Sequence, residues 1–495
     1  MNRKIDSIEI DNLIHTQNIK EISKLCLVTD REILGNRDLN LVIEEAILGG
    51  ATMIQLREKE LCYDEFLSLG KSIKKITDKY SIPLIINDNV QVAQGIDATG
   101  VHLGQSDMSV TQARKILGKD KIIGLSVTTE EEAEKAISFS PDYIGIGPIF
   151  STSSKKDASF PLGLEKLKKI INNTDIPTMA IGGINSSNIL DVMKSGVDGV
   201  AVISEILEKD NIRAATHNMK IEISKSEYIS QISENIKNVR TTNPLVLHLT
   251  NLVTINDCAN VTLAIGGSPL MSFCKEEMEE LISISSSVVL NIGTMDSSMR
   301  DIAVFMGELC NKYKKPIILD PVGVGASNSR KELVKTLLQN IKFTSIKGNL
   351  SEIKTLLDFS KSFGKGVDSI DFGNEEEIGR ELAIKYNTVI AITGKVDYII
   401  DKNRIVKIYN GNSSMSKLTG TGCMSTSIIG TLLGISKDNF ISVLGGILIM
   451  GISGELGSNN YIGNGSLKVQ ILDNISLFNE TILFNNSKIE IGTFL

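Results

Sequence analysis

What the sequence lacks narrows the field first. Its 495 residues include no tryptophan and only nine prolines, against 42% apolar and 22% charged residues, the composition of a soluble globular protein. An excess of positive charge is missing. The net charge is −7 and the pI near 5.5, which argues against nucleic-acid binding, because that needs a basic footprint. Paired cysteines are missing too. Cys26, Cys62, Cys258, Cys274, Cys310 and Cys423 are scattered, with no C-x-x-C among them, a pattern that suits reduced thiols in a cytoplasm better than a disulfide framework or a zinc site. The first 25 residues carry Asp6, Glu9, Asp11 and Glu21 and lack the apolar core of a signal peptide. No run of about 18 apolar residues stands out, so no membrane span is expected.

What the sequence has is a regular beat. A chain of this length exceeds one ordinary core, so two or three domains are expected. From Lys24 to about Ser204, short runs rich in β-branched residues alternate with helix-length segments: "LCLVT", "TMIQL", "PLIIN", "GVHLG", "KIIGLS", "DYIGIG", "PTMAIGG" and "GVAVIS". Eight βα units in one series point to a (β/α)8 TIM barrel over 1–208, rather than an open doubly wound sheet. The beat stops in the polar stretch 209–227, which reads as a linker. A second α/β pattern fills 228–495, with strands in "PLVLHLTN", "SVVLNIGT", "PIILDPVG", "FTSIKGN" and "TVIAITG", a hairpin at 397–411 and a mainly helical end. That is a layered α/β domain with a mostly parallel sheet.

The polar residues of the first domain collect at strand ends: Gln55, Arg57 and Lys59; Asn87 and Asp88; Gln105 and Asp107; Ser126; Thr152, Ser154 and Lys155; Gly182 and Gly183; Ile203 and Ser204. In a parallel barrel all of these face one mouth. Two carboxylates among three cations suit a Mg²⁺ site (Asp88, Asp107) beside a pyrophosphate. The glycines and the backbone around Ser204 suit the phosphate pocket that barrels build after strands 7 and 8.

In the second domain, "DPVGVGAS", "KGNLSE", "ITGKVD" and "LTGTGC" place Asp320, Asn349, Glu352, Thr393 and Gly420 at strand or loop ends. This is the layout of an ATP-dependent kinase without a P-loop. The one partial P-loop match, Gly70-Lys71-Ser72, lacks the upstream glycine and falls inside a helix. Cys423 follows the small-residue loop where a helix begins. The bland reading is a small buried helix residue. The sharp one is that the helix N–H groups favour a thiolate that acts as a base.

"QLREK", "IND", "VHLGQSDM", "GPIFSTSSK" and "AIGGI…GVAVIS" resemble thiamine phosphate synthase over 24–208. The resemblance implies that Asp88 and Asp107 hold Mg²⁺. It implies that Gln55, Arg57, Lys59, Asn87, Ser126 and Lys155 hold a pyrimidine diphosphate, and that Thr152, Ser154, Gly182, Gly183, Ile203 and Ser204 hold a thiazole phosphate. The sequence departs from the family pattern at Asn89, usually Arg there. "NPLVLHLTNLVTINDCANVTLAIGGSPLMS", "LNIGT", "DPVGVGAS", "GNLSEI" and "LTGTGCM" resemble hydroxyethylthiazole kinase, a ribokinase-like family, across roughly 240–490. That resemblance implies Cys423 as the base. It implies thiazole contacts at Asn251, Met271, Gly293 and Gly420, and ATP contacts at Lys347, Thr393, Arg330, Asn349 and Glu352. Together the two imply one bifunctional enzyme of thiamine salvage. Its partners would be small molecules, and it would form a homo-oligomer, a trimer through the kinase domain. The rival expectation is that one half is catalytic and the other a regulatory or oligomerising module.

Overall fold

A computed structural model describes residues 18–152, 160–359 and 375–492. The chain divides into two compact units, one ending at Ser226 and the other beginning at Glu227.

In the first unit eight strands close a barrel in sequential order: β1 Leu25–Val28, β2 Met53–Leu56, β3 Leu84–Asn87, β4 Gly100–Leu103, β5 Ile122–Val127, β6 Tyr143–Ile146, β7 Thr178–Ile181 and β8 Gly199–Val202. Every pair is parallel, and β8 returns to β1. The strands are buried almost throughout because both of their faces are covered, which is why they read as continuous apolar runs rather than alternating ones. The helices between them lie outside. Tyr63–Lys79 is typical, with acids in its first turn, Lys79 in its last, and Phe66, Gly70, Ile73 and Thr77 buried. Gly70-Lys71-Ser72 therefore lies mid-helix, as expected.

Most of the polar stretch read as a linker is helical: the helix Ile212–Thr242 runs for 31 residues. Its apolar positions form a narrow stripe among charges, which hides the period from a composition reading. Met219 and Ile223 pack into the barrel core. Ile229, Ile232, Ile236 and Val239 pack into the core of the second unit.

The second unit is a nine-stranded sheet: β9 Leu245–Leu249, β10 Ser268–Met271, β11 Ser287–Asn291, β12 Ile317–Asp320, β13 Ser345–Asn349, β14 Val389–Thr393, β15 Asp397–Ile400, β16 Ile405–Ile408 and β17 Ile489–Gly492. The order is β10-β9-β11-β12-β13-β14-β15-β16-β17. The first six are parallel, and β15, β16 and β17 add antiparallel. Two apolar clusters draw on alternate residues of these strands. The edge strands β10 and β17 escaped the sequence reading. β10 is short, contains Pro269 and is only partly buried, so it carries no apolar run; β17 lies in a segment whose other elements are helices. The helix Asn439–Gly457 is long and apolar enough to cross a membrane, contrary to the expectation that no such run exists. It is buried along most of its length inside the second unit, as a core helix is.

Candidate functional sites

In the barrel, Gln55, next to last in β2, is almost fully buried, with its side-chain nitrogen unpaired among the described residues. The Arg57 guanidinium lies 3.0 Å from Asp30 Oδ2. Asp30 meanwhile caps the helix Arg31–Leu34 with its other oxygen. Arg57 is thus aimed by a carboxylate that sequence reading passed over. Lys59 Nζ is 2.8 Å from Asp88 Oδ2. Asn87 is buried at the end of β3, and Asp88 follows it with φ +63°, a left-handed backbone uncommon for a residue with a side chain.

The Asp88 and Asp107 carboxyls are neighbours, and each shifts the other's proton affinity. Burial works to raise the Asp88 pKa, but Lys59 and Asp107 outweigh it and hold the group below its ordinary value. Burial and the neighbouring Asp88 charge push Asp107 above its own. Two neighbouring carboxyls whose charges oppose each other are what a divalent cation relieves. Among the described residues no third His, Cys, Asp or Glu joins them. One or two carboxylates fit Mg²⁺, which keeps several waters and takes substrate phosphates.

Ser126 Oγ meets His102 Nε2 at 2.9 Å, and His102 Nδ1 meets the buried Tyr143 hydroxyl at 3.0 Å. His102 stood in a quoted motif, yet a lone histidine in a strand gives no sign of its partners. On the far rim Gly182 and Gly183 have φ +100° and +67°. A Cβ at Gly183 would lie 2.7 Å from the Ser151 carbonyl, so the loop after β7 packs directly on the loop that leads to Thr152. Ile203 and Ser204 open the short helix Ser204–Leu207. Ser154 and Lys155 lie outside the described residues. Asn89, the departure from the family pattern, caps the helix Val90–Gly95 by accepting the Val92 N–H at 2.9 Å.

In the second unit Gly420 caps the helix Thr421–Leu433 with φ +91°. A Cβ there would also strike Thr254 at 2.8 Å. Cys423, in the first turn and 9% exposed, receives N–H bonds to Sγ from Asn251 and Asn291, each at 3.3 Å. Asn251 also donates to Asn291 Oδ1, which accepts the Gly293 N–H at 2.9 Å. Asn291 donates to Asp320 Oδ2 at 2.9 Å, and Thr426 donates to the same oxygen at 2.7 Å. Asp320 Oδ1 is buried without a hydrogen-bond partner among the described residues. Lys347 Nζ sits 3.7 Å from Asp320 and donates to the Gly422 carbonyl at 3.0 Å. Asn251, Gly293, Gly420, Lys347 and Cys423 therefore belong to one cluster, whose hub, Asn291, sequence reading missed. Met271 ends the adjacent strand β10, paired with His248.

A cavity of about 710 Å³ lies along the helix start, lined by Thr393, Gly394, Asp397, Thr421, Gly422 and Ser425 among others. That volume suits a cofactor-sized ligand, and a helix N-terminus in its wall suits an anion. Asp397 Oδ1 accepts the Gly394 N–H at 2.8 Å, and burial pushes its carboxyl up to about 6. Three ATP candidates have local duties. Asn349 and Glu352 form a reciprocal cap on the helix Leu350–Asp358, and Glu352 also accepts the Gly323 N–H. Arg330 donates to the carbonyls of Ile292, Val322 and Gly293, tying two site loops together.

Comparison with known proteins follows the same division. A thiamine monophosphate synthase family model matches residues 25–206, and a hydroxyethylthiazole kinase family model matches 236–480. The thiamine biosynthetic bifunctional enzyme of Saccharomyces cerevisiae is 33% identical over 518 aligned positions, covering 92% of this chain and 95% of its own length. The hydroxyethylthiazole kinase of Clostridioides difficile is 47% identical over 52% of this chain and 97% of its own. A thiamine-phosphate synthase of Clostridium botulinum is 51% identical over 40% of this chain and 97% of its own. The chain belongs to the family of bifunctional thiamine biosynthetic enzymes, with a thiamine-phosphate synthase half followed by a hydroxyethylthiazole kinase half.

Proposed function

We propose that residues 228–495 phosphorylate the alcohol of 4-methyl-5-(2-hydroxyethyl)thiazole with ATP. Residues 1–208 then join the product to 4-amino-2-methyl-5-pyrimidinylmethyl diphosphate, giving thiamine phosphate and pyrophosphate; 209–227 link the two. The observation that carries the reading is the Cys423 sulfur at the start of a helix with two amide N–H groups aimed at it. Those donors are placed to meet charge carried by the sulfur as it takes a proton from substrate.

In the kinase half Cys423 takes the proton of the substrate hydroxyl, whose oxygen attacks the terminal phosphorus of ATP as ADP leaves. Asn251, Met271, Gly293 and Gly420 hold the thiazole. Lys347, Thr393, Arg330, Asn349 and Glu352 serve the nucleotide, the last three by fixing the loops around it. In the synthase half Gln55, Arg57, Lys59, Asn87, Ser126 and Lys155 bind the pyrimidine diphosphate. The bond from its methylene carbon to the diphosphate oxygen breaks, and the electron-rich ring carries the positive charge. The thiazole nitrogen then attacks that carbon, with its phosphate held by Thr152, Ser154, Gly182, Gly183, Ile203 and Ser204. Asp88 and Asp107 are the residues that would hold Mg²⁺, and the ion would neutralise charge growing on the departing pyrophosphate.

We place the protein in the cytoplasm, which its six free thiols suit, and assign it a homotrimer through the kinase half. Leu252 and Val253, 59% and 66% exposed beside Asn251, offer an apolar surface for that assembly. The test is to assay the purified chain separately with thiazole alcohol plus ATP and with thiazole phosphate plus pyrimidine diphosphate, both with Mg²⁺. Turnover of both pairs is expected. Failure of either pair overturns the bifunctional reading in favour of a non-catalytic half.

A further inference from the structure

Asn291 ends β11 and Asp320 ends β12, and the two are register partners across that parallel pair. Asn291 is 1% exposed, so its amide must find its partners inside the protein. Its neighbours decide which way the amide faces. The Gly293 N–H can only donate, and it meets Asn291 Oδ1 at 2.9 Å; a nitrogen in that place would set donor against donor. Asn251 is oriented in the same manner, because its Oδ1 accepts the Thr254 N–H at 3.0 Å. The Asn251 nitrogen then donates to Asn291 Oδ1 at 3.0 Å. Both acceptor positions of the Asn291 oxygen are filled, and its NH2 group points the other way.

That NH2 has two hydrogens with two different destinations: Cys423 Sγ at 3.3 Å and Asp320 Oδ2 at 2.9 Å. One planar group therefore spans the sulfur and the carboxylate, with all four of its hydrogen-bonding positions used. It has little freedom to turn. Its oxygen closes a turn on the backbone two residues on, and a Cβ at Gly293 would lie 3.1 Å from that oxygen and 2.8 Å from the Asn251 Cβ. Thr426, one turn along the helix that carries Cys423, donates to the same Asp320 oxygen at 2.7 Å. Carboxylate, amide, sulfur and helix thus close a ring.

We propose, resting on the reading of Cys423 as the base, that Asn291 is a positioning residue for phosphoryl transfer. It holds the sulfur at a fixed spacing from Asp320 while the sulfur takes the proton of the substrate hydroxyl. Asn291 touches neither substrate; it acts through Cys423, so its contribution to turnover exists only while that sulfur is present.

The test is a double-mutant cycle on the full-length chain. Turnover of thiazole alcohol at saturating ATP is measured for Asn291→Ala, alone and combined with Cys423→Ser. Alone, Asn291→Ala should lower kcat about tenfold or more, the loss of one hydrogen bond to a charged partner, with KM for ATP unchanged. On top of Cys423→Ser it should cost little further, because residues that act as a unit are not additive. Asn291→Ser carries the same cycle if the alanine variant fails to fold: its hydroxyl can keep the turn to Gly293 but is too short to bridge sulfur and carboxylate. An equal fold-loss with and without the Cys423 sulfur, or an unaltered kcat, overturns the positioning role and leaves the base in place. Full activity of Cys423→Ser alone overturns the base, and the positioning role with it.

Discussion

Replacing Cys423 with serine is the most searching single change in the kinase half. Two amide nitrogens donate to the sulfur at 3.3 Å, and hydrogen bonds to a charged acceptor contribute about 1.5–3 kcal/mol each. A serine hydroxyl in the same place still accepts both N–H groups, but it is too weak an acid to serve as a base near neutral pH. General-base assistance typically accounts for ~10²–10⁴-fold, or about 3–5 kcal/mol of barrel-independent activation free energy, so Cys423→Ser should lose that much kinase turnover. Cys423→Ala should match it, because neither side chain removes the proton. Cys423→Asp should keep substantial activity, since its carboxylate can accept from the same two amides and the helix N-terminus favours an anion. The assay is ADP release with thiazole alcohol and saturating ATP, with condensation of supplied thiazole phosphate as the folding control. If serine performs nearly as well as cysteine while aspartate is the damaging change, the sulfur is packing and the base assignment fails.

Asp88→Ala and Asp107→Ala should each abolish condensation and leave thiazole phosphorylation intact; near-normal condensation at limiting Mg²⁺ would remove the metal assignment. Burial pushes His248 from 6.5 down to about 4, so the stability it contributes is complete above pH 6.5 and is lost as the pH falls toward 4. That loss amounts to at most ~3 kcal/mol, and His248→Gln should flatten acid unfolding across this window. Asp397 has the opposite sign: its carboxyl is raised to about 6, so the ionised form opposes folding most fully above pH 6. Asp397→Asn, which keeps an acceptor for Gly394, should raise the melting temperature at pH 8, with the gain fading as the pH drops toward 3.8. A barrel fragment ending at 215 should be less stable than one ending at 226, because Met219 and Ile223, 1% and 2% exposed, leave the core, at about 1.5–3 kcal/mol each; equal denaturation midpoints would contradict the packing.

The barrel was legible because both faces of every strand are buried, so eight apolar runs announce eight strands and their polar ends announce one mouth. The parallel centre of the second sheet was legible for the same reason. Its edges were not. β10 carries a proline and β17 is an isolated four-residue strand near the chain end, so neither shows a buried-strand pattern. The helix through 212–242 was hidden by its charges. At the candidate sites, the residues that chemistry names directly (Asp88, Asp107, Lys59, Cys423) can be nominated from the sequence. Their partners cannot: Asp30 behind Arg57, His102 behind Ser126 and Asn291 behind Cys423 are joined to them by the fold, 27, 24 and 132 residues away, where no local spacing connects them.

The central claim, that both halves of this chain are catalytic and act in sequence, is tested most directly in one vessel. Thiazole alcohol, ATP, pyrimidine diphosphate and Mg²⁺ are mixed with the protein, and thiamine phosphate is measured. The unaltered chain should form it. Cys423→Ser should form little, and Asp88→Ala should stop at thiazole phosphate. A mixture of the two variants should restore the product, because each supplies the half the other lacks. Accumulation of thiazole phosphate by the unaltered chain, or full product formation by either variant alone, would contradict the account.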